Sequence, residues 1–113
     1  MEGEGTFYYA SGNRHVGGYK ADNMEGEGTF YFAYGDRYVG GYKAGTMEGE
    51  GAYYFANGQA LVGRFEADAP VGEGAEWSAD RRTAWRLQDG ETVEAISLEE
   101  AARIAERVGL PVP

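Results

Sequence analysis

Hydrophobic and polar positions alternate along most of this chain, and the alternation itself recurs. Thr6-Phe7-Tyr8-Tyr9 and Arg14 to Lys20 are two short aromatic and β-branched runs, split by Ala10-Ser11-Gly12. The same arrangement restarts at Met24, at Met47 and, in worn form, at Pro70. The first two units agree at 17 of 23 positions. A fixed period of this length signals a repeat architecture and outranks any reading of the segments one by one. Two strand-like runs around a turn predict a β-hairpin in each unit, and Asn57-Gly58 is a strong hairpin signal in the third. A three-residue loop, a type I turn closed by a left-handed Gly12, Gly35 or Gly58, keeps the odd positions of both strands on one face. A two-residue loop would mix the columns.

In that register one face carries Phe7, Tyr9, His15 and Tyr19 among Gly3, Gly5 and Gly17, and the second unit repeats it with Phe30, Phe32, Tyr38 and Tyr42. Glycine is poor in an ordinary strand, so its recurrence implies rings lying over bare backbone and a sheet that curves sharply. Together with Phe55 and Phe65 of the third unit, Phe7, Tyr9, Tyr19, Phe30, Phe32, Tyr38 and Tyr42 form a candidate protein-binding groove. The other face carries Tyr8, Val16, Tyr31, Val39, Tyr54 and Val62, continued by Trp77 and Trp85. Contiguous exposed apolar stripes mark interaction sites, so this one is a candidate for a partner or a second copy. Burial beneath the chain's own helix is the structural alternative. Cross-strand pairs of Glu2 with Lys20, Glu25 with Lys43, and Tyr8 and Tyr31 with Arg14 and Arg37 are expected to hold the register, at roughly 0.2–1 kcal/mol each.

After Trp85 the period stops. Gln88-Asp89-Gly90-Glu91 reads as a turn into a strand from Thr92 to Ile96, and Ser97 with Glu100 makes a capping box. Leu98, Ala101, Ala102, Ile104, Ala105 and Val108 then fall along one helical stripe, ended by Gly109 and Pro111. The end of a stack must be closed, so this helix is expected to shield the last hairpin. The organisation is therefore repeats over 1–92 (1–23, 24–46, 47–69 and a degenerate 70–92), then a strand and capping helix over 93–113. Met1 aligns with Met24 and Met47, which predicts either an array that continues upstream or a first edge that pairs with something.

These columns resemble the MORN repeat (membrane occupation and recognition nexus), whose pattern is G-x-G, a Tyr-rich strand, Ala-x-Gly and then Tyr-x-Gly-x-Trp. The resemblance rests on Gly3, Gly5, Ala10, Gly12, Gly17 and Tyr19 with their copies, strongly from Met1 to about Ala69 and weakly from Pro70 to Gln88. It implies a mainly β fold, an elongated single-layer antiparallel sheet with a groove, without catalytic activity and with a role in binding or scaffolding. Some members have been proposed to contact phospholipids, and others bind proteins or self-associate. Two departures matter. The columns of Tyr8 and Val16, usually polar in the family, are apolar here, and Asn23, Thr46 and Ala69 stand where Lys or Arg is usual between repeats.

Charge and composition narrow the function. The net charge of −9 repels phosphate backbones and anionic headgroups, which excludes nucleic acid as a partner and disfavours membrane lipid. There is no cysteine, hence no disulfide and no thiolate metal site. No apolar run approaches the roughly 20 residues of a membrane span, so a cytoplasmic protein, reaching cytoskeleton or membrane only through partners, is the default. Aromatics at 14% argue against disorder. Glu4, Glu27, Glu50 and Glu73 form an acidic column, but units two strands apart lie about 9.5 Å from each other, too far for one ion to bridge. A solvated face, and no metal, is the expectation. His15 is replaced by Tyr38 and Leu61 in the next units, so it reads as packing; no nucleophile and base stand in phase, and neither an enzyme nor a cofactor is predicted. G-x-G precedes a strand rather than a helix, so it fails as a dinucleotide fingerprint. Arg81, Arg82 and Arg86 near Trp77 and Trp85 read as guanidinium covering rings. The expected function is a non-catalytic scaffold that accepts a helix, an extended segment or a second copy. The alternative is a phospholipid-targeting module or an accessory segment of a larger membrane-associated enzyme.

Overall fold

The computed structural model describes residues 3–113, and among them nine strands in sequential order form one antiparallel sheet beside a single helix. The strands are β1 (Gly3–Tyr8), β2 (Arg14–Lys20), β3 (Asn23–Tyr31), β4 (Arg37–Lys43), β5 (Thr46–Tyr54), β6 (Ala60–Glu66), β7 (Ala69–Trp77), β8 (Ala84–Gln88) and β9 (Glu91–Ile96), followed by α1 (Leu98–Val108). The body measures 43 × 24 × 20 Å.

Two kinds of hairpin alternate. Within a unit the Tyr9 N–H bonds the Asn13 carbonyl and the Gly12 N–H bonds the Tyr9 carbonyl, both at 2.9 Å, with Gly12 at φ +96°. This is the expected three-residue loop, and it pairs Tyr8 with Arg14 and Phe7 with His15. Between units the chain reverses in two residues, both at positive φ: Ala21-Asp22 (50°, 66°), Ala44-Gly45 (50°, 86°), Ala67-Asp68 (49°, 70°) and Asp89-Gly90 (53°, 83°). Such primed turns match the twist of the flanking strands. Alanine is strained there, and carboxylates from the start of the same unit hold it: Glu25 Oε1 accepts from the Ala44 N–H and Glu48 Oε1 from the Ala67 N–H, each at 3.1 Å. Glu25 thus caps a turn; the β3–β4 register ends with Gly26 opposite Tyr42, one step short of the expected Glu25 and Lys43, and on its other side Lys43 faces Thr46. The predicted Glu2–Lys20 pair lies outside the described residues.

The paired glycines have separate tasks. Gly17 faces Gly28 but Gly18 faces Glu25, so β3 carries two extra residues, and similar shifts recur between β4 and β5 and between β6 and β7. A slip of two preserves the alternation of faces. The first glycine of each pair makes the bulge, at φ +72° for Gly26. In β3 and β5 the second lies under a ring: a Cβ on Gly28 would sit 2.6 Å from His15 Nε2, and one on Gly51 2.5 Å from two ring carbons of Tyr38, whereas one on Gly74 would meet the Val62 carbonyl at 2.8 Å. Rings over bare backbone are thus what the glycine column provides. Successive turns also lock together, since Asn13 Oδ1 accepts from the Ala33 N–H and Asp36 Oδ1 from the Ala56 N–H at 2.7 Å.

The fourth unit breaks the pattern. Its hairpin closes between Ser78 and Thr83, with Arg81 at φ +64°, so the loop has one residue more than its predecessors. The register moves by one: Trp77 faces Ala84 and Glu76 faces Trp85. A one-residue slip exchanges the faces of everything that follows. Trp85 therefore lies on the ring face, not in the apolar stripe where the period had put it, and Arg86 occupies its expected place.

Both faces carry a core. On the ring face Phe30, Tyr38, Tyr42, Leu61, Phe65 and Leu87 bury one another. On the other, α1 lies over β6–β8 with Ala101, Ile104, Ala105 and Val108 packed on Ala52, Val62, Ala75 and Trp77. Ser97 Oγ accepts from the Glu100 N–H at 3.0 Å and Gly109 caps the far end at φ +91°. Leu98 was expected in the buried stripe but is 40% exposed, and Ala102 is half-buried. Burial of Ile104 and of Val108 contributes about 1.5–3 kcal/mol each.

Candidate protein-interaction surface

The ring face is a ladder of contacts. His15 meets Tyr19 and Tyr42 edge-on at centroid distances of 5.0 and 5.2 Å, and Tyr38 meets Tyr42 and Phe65 at 5.4 and 5.1 Å. Of the predicted groove residues, Tyr19, Phe30, Tyr38, Tyr42 and Phe65 are buried by their neighbours, while Phe7, Tyr9, Phe32 and Phe55 keep partial exposure. Alternation also places Tyr53 and Leu61 here, both missing from the predicted set; the Tyr53 hydroxyl donates to Asp36 Oδ2 at 2.7 Å. Burial pushes the hydroxyls of Tyr19, Tyr38 and Tyr42 well above the ordinary tyrosine range. His15 is buried with neither ring nitrogen hydrogen-bonded, and desolvation lowers its pKa. What remains open on this face is two shallow apolar pits of about 220 and 170 Å³ that share Met47 and Asp68. This face is chiefly a core with an open margin.

The opposite face divides into two halves. Over the later strands the stripe is covered: Val62 is 0% exposed, Trp77 is buried, and Tyr54 packs against the same cluster. Over β1–β4 it is open, with Tyr8 72%, Val16 40% and Val39 38% exposed. Here the surface forms a groove of about 470 Å³ with Thr6, Val16, Thr29 and Val39 along it, Glu4 and Glu27 beside them, and Leu110 closing one end. On the same face Arg14 and Arg37 stack on tyrosines, their guanidinium carbons 4.0 and 4.2 Å from the ring centres of Tyr31 and Tyr54. Each arginine thus stacks on the tyrosine of the following unit while pairing in register with that of its own, and such contacts are worth about 0.5–1 kcal/mol at exposed sites.

The sequence reading took Glu4 and Glu27 as a solvated face and did not assign Thr6 and Thr29 to a site. Their columns carried the signal; Leu110, beyond the helix end, had none. The arginine cluster is occupied by its own chain: Arg81 Nη1 donates to the carbonyls of Gly58 and Ser78 at 2.6 and 2.9 Å, and Arg86 donates to Glu94 Oε2 through Nε and Nη2 at 2.8 and 2.6 Å. Among the described residues no three His, Asp or Glu side chains gather so as to hold a metal ion, and no helix is long and apolar enough to cross a membrane.

A stack of β-hairpins, one layer thick, that buries its rings along one face and leaves part of the other open defines a hairpin-repeat protein. A family model for the MORN repeat matches residues 1–14, 15–37 and 38–60, more than half of the 113-residue chain, and the chain belongs to the MORN repeat family. The two full matches begin at the second strand of a hairpin and run across the two-residue turns, out of step with units counted from Met1. No curated protein matches the chain. MORN repeats are known from protein-interaction and membrane-association settings, and the family and its repeat-sheet fold are generally non-catalytic.

Proposed function

We propose that this chain is a non-catalytic protein-interaction scaffold whose binding surface is the open half of the apolar stripe over β1–β4. One observation carries this reading: the same face that is fully buried at Val62 beneath α1 stands open at Val16 and Val39. An apolar groove repeated from a covered region into an uncovered one is a surface that lacks its cover. The ring face supports the reading indirectly, because most of its rings bury one another and leave little apolar surface open there. A phospholipid surface fits less well, since Glu4 and Glu27 line the groove and the chain carries a net charge of −9.

The test compares the full chain with a Val16→Asp/Val39→Asp variant as bait, after thermal unfolding has shown that both fold. Both side chains are partly exposed and lie away from the buried helix seat, so the variant should unfold within a few degrees of the parent. Partners retained by the parent and lost by the variant support the reading, and light scattering identifies a second copy as one of them. Partners retained equally by both baits would overturn it.

A further inference from the structure

The covered half of the stripe describes what the open half accepts. The floor beneath α1 is Ala52, Val62 and Ala75, and at its side Arg107 Nη2 reaches Glu73 Oε1 at 3.0 Å. Two repeats earlier the same columns hold Thr6, Val16 and Thr29, with Glu27 in the place of Glu73. All four of these earlier residues line the open groove. Leu110, just past the end of α1, lines it too, beside Val39 and Gly40. α1 therefore points from the last hairpins toward the first two, and the groove continues where the helix stops.

We propose that this groove receives an amphipathic helix of a partner protein, laid end to end with α1, with small and β-branched apolar residues on its buried stripe and an arginine or lysine directed at Glu27. The proposal rests on the scaffold reading above and names its ligand. Three features specify the chemistry. Val16 and Val39 offer apolar contact at the height where Val62 meets α1. Glu27 has no cation paired with it among the described residues, whereas Glu73 has Arg107, so a basic residue just before the last apolar position, as Arg107 precedes Val108, completes the pair. Thr6 and Thr29 replace two alanines and add hydroxyls, while Arg14 and Arg37, stacked on tyrosines, stand in the columns of the buried Ala60 and Ala84. The partner helix thus meets a more polar rim than α1 does, as suits a surface that is open when unbound.

The probe is a peptide of residues 97–110, with Arg103→Lys joined by a lactam to Glu99 on the solvent side so that it is helical when free; a peptide of this length is otherwise marginally helical. It is titrated into the full chain with labelled valine methyl groups. The expected result is saturable movement of the Val16 and Val39 methyls with Val62 unmoved, weakened at least tenfold by Val39→Asp in the protein or by Arg107→Glu in the peptide. Glu27→Lys in the protein should restore binding of the Arg107→Glu peptide. Loss of methyl shifts at millimolar peptide, or movement of Val62 through displacement of α1, overturns the proposal. Shifts confined to the margin of Phe32 and Phe55 also overturn it while leaving a scaffold that uses its other face, and failure of the two baits to differ separates the loss of the scaffold reading from the loss of the helix.

Discussion

Replacing Gly51 with alanine tests the claim that the glycine column exists to admit rings. An added Cβ would stand 2.5 Å from Tyr38 Cε1 and Cζ, about 1 Å inside ordinary contact, and closer still to the hydroxyl. Tyr38 has nowhere to go. It is fully buried, wedged edge-on against Tyr42 and Phe65, and its hydroxyl donates to the Gly41 carbonyl at 3.2 Å. Overpacking of this kind costs about 1–3 kcal/mol, and losing the hydroxyl's hydrogen bond adds about 1 kcal/mol, so a loss of about 2–4 kcal/mol is expected. Gly5 occupies the same column, but with no earlier strand beside it among the described residues a Cβ there meets nothing within 4 Å. Gly5→Ala should stay within about 0.5 kcal/mol of the parent. Urea unfolding followed by tryptophan fluorescence and by circular dichroism measures both. With a denaturant slope of about 1–3 kcal/mol/M, Gly51→Ala should lower the midpoint by about 1 M or more while Gly5→Ala leaves it in place. Adding Tyr38→Leu to Gly51→Ala should recover part of the loss, because Leu61 holds that place in the next unit. Equal losses at Gly51 and Gly5, or a double variant no better than the sum of its parts, would refute the argument.

Other expectations concern the histidine, the helix and the fourth turn. Burial without a partner holds the His15 pKa below 6.5, so the unfolded chain takes up that proton first and stability falls as pH drops below about 6.5, by about 1.4 kcal/mol per unit until the folded state protonates too. His15→Tyr should remove this component, seen as a smaller difference between urea midpoints at pH 7.5 and 5.0; an unchanged difference would show that His15 does not contribute. Ile104→Ala, at a fully buried site, should cost about 2–5 kcal/mol in thermal or urea unfolding, whereas Leu98→Ala, on the same helix but exposed, should cost less than about 1 kcal/mol. Deleting Arg82 shortens the last loop to the length of the others while Ser78 can still close it against Thr83, so Trp85 and Leu87 should keep the ring face and near-ultraviolet circular dichroism of the tryptophans should be unchanged; a changed signal would show that the register needs the longer loop.

Much of this architecture was legible in the sequence because its determinants are local. The spacing of Ala10-Ser11-Gly12 dictates a three-residue loop, the loop dictates register, and register dictates that Phe7, His15, Phe30 and Tyr38 share a face. Ser97, Glu100 and Gly109 likewise mark the helix by side-chain and backbone chemistry that acts within one turn. The face of Trp85 was not legible, because one added residue in a worn loop reverses the alternation and the worn copy conceals the insertion. The two-residue turns such as Ala44-Gly45 were hidden as well, since alanine is a poor resident of a left-handed position and is held there by a glutamate 19 residues earlier in the chain. Above all, the sequence shows an apolar stripe running the whole length of the repeats, and only the tertiary structure decides how far α1 reaches along it. That reach depends on helix length and on the angle at which Ile96 delivers the chain onto the sheet, which no periodicity records, and it leaves Val62 buried and Val39 open.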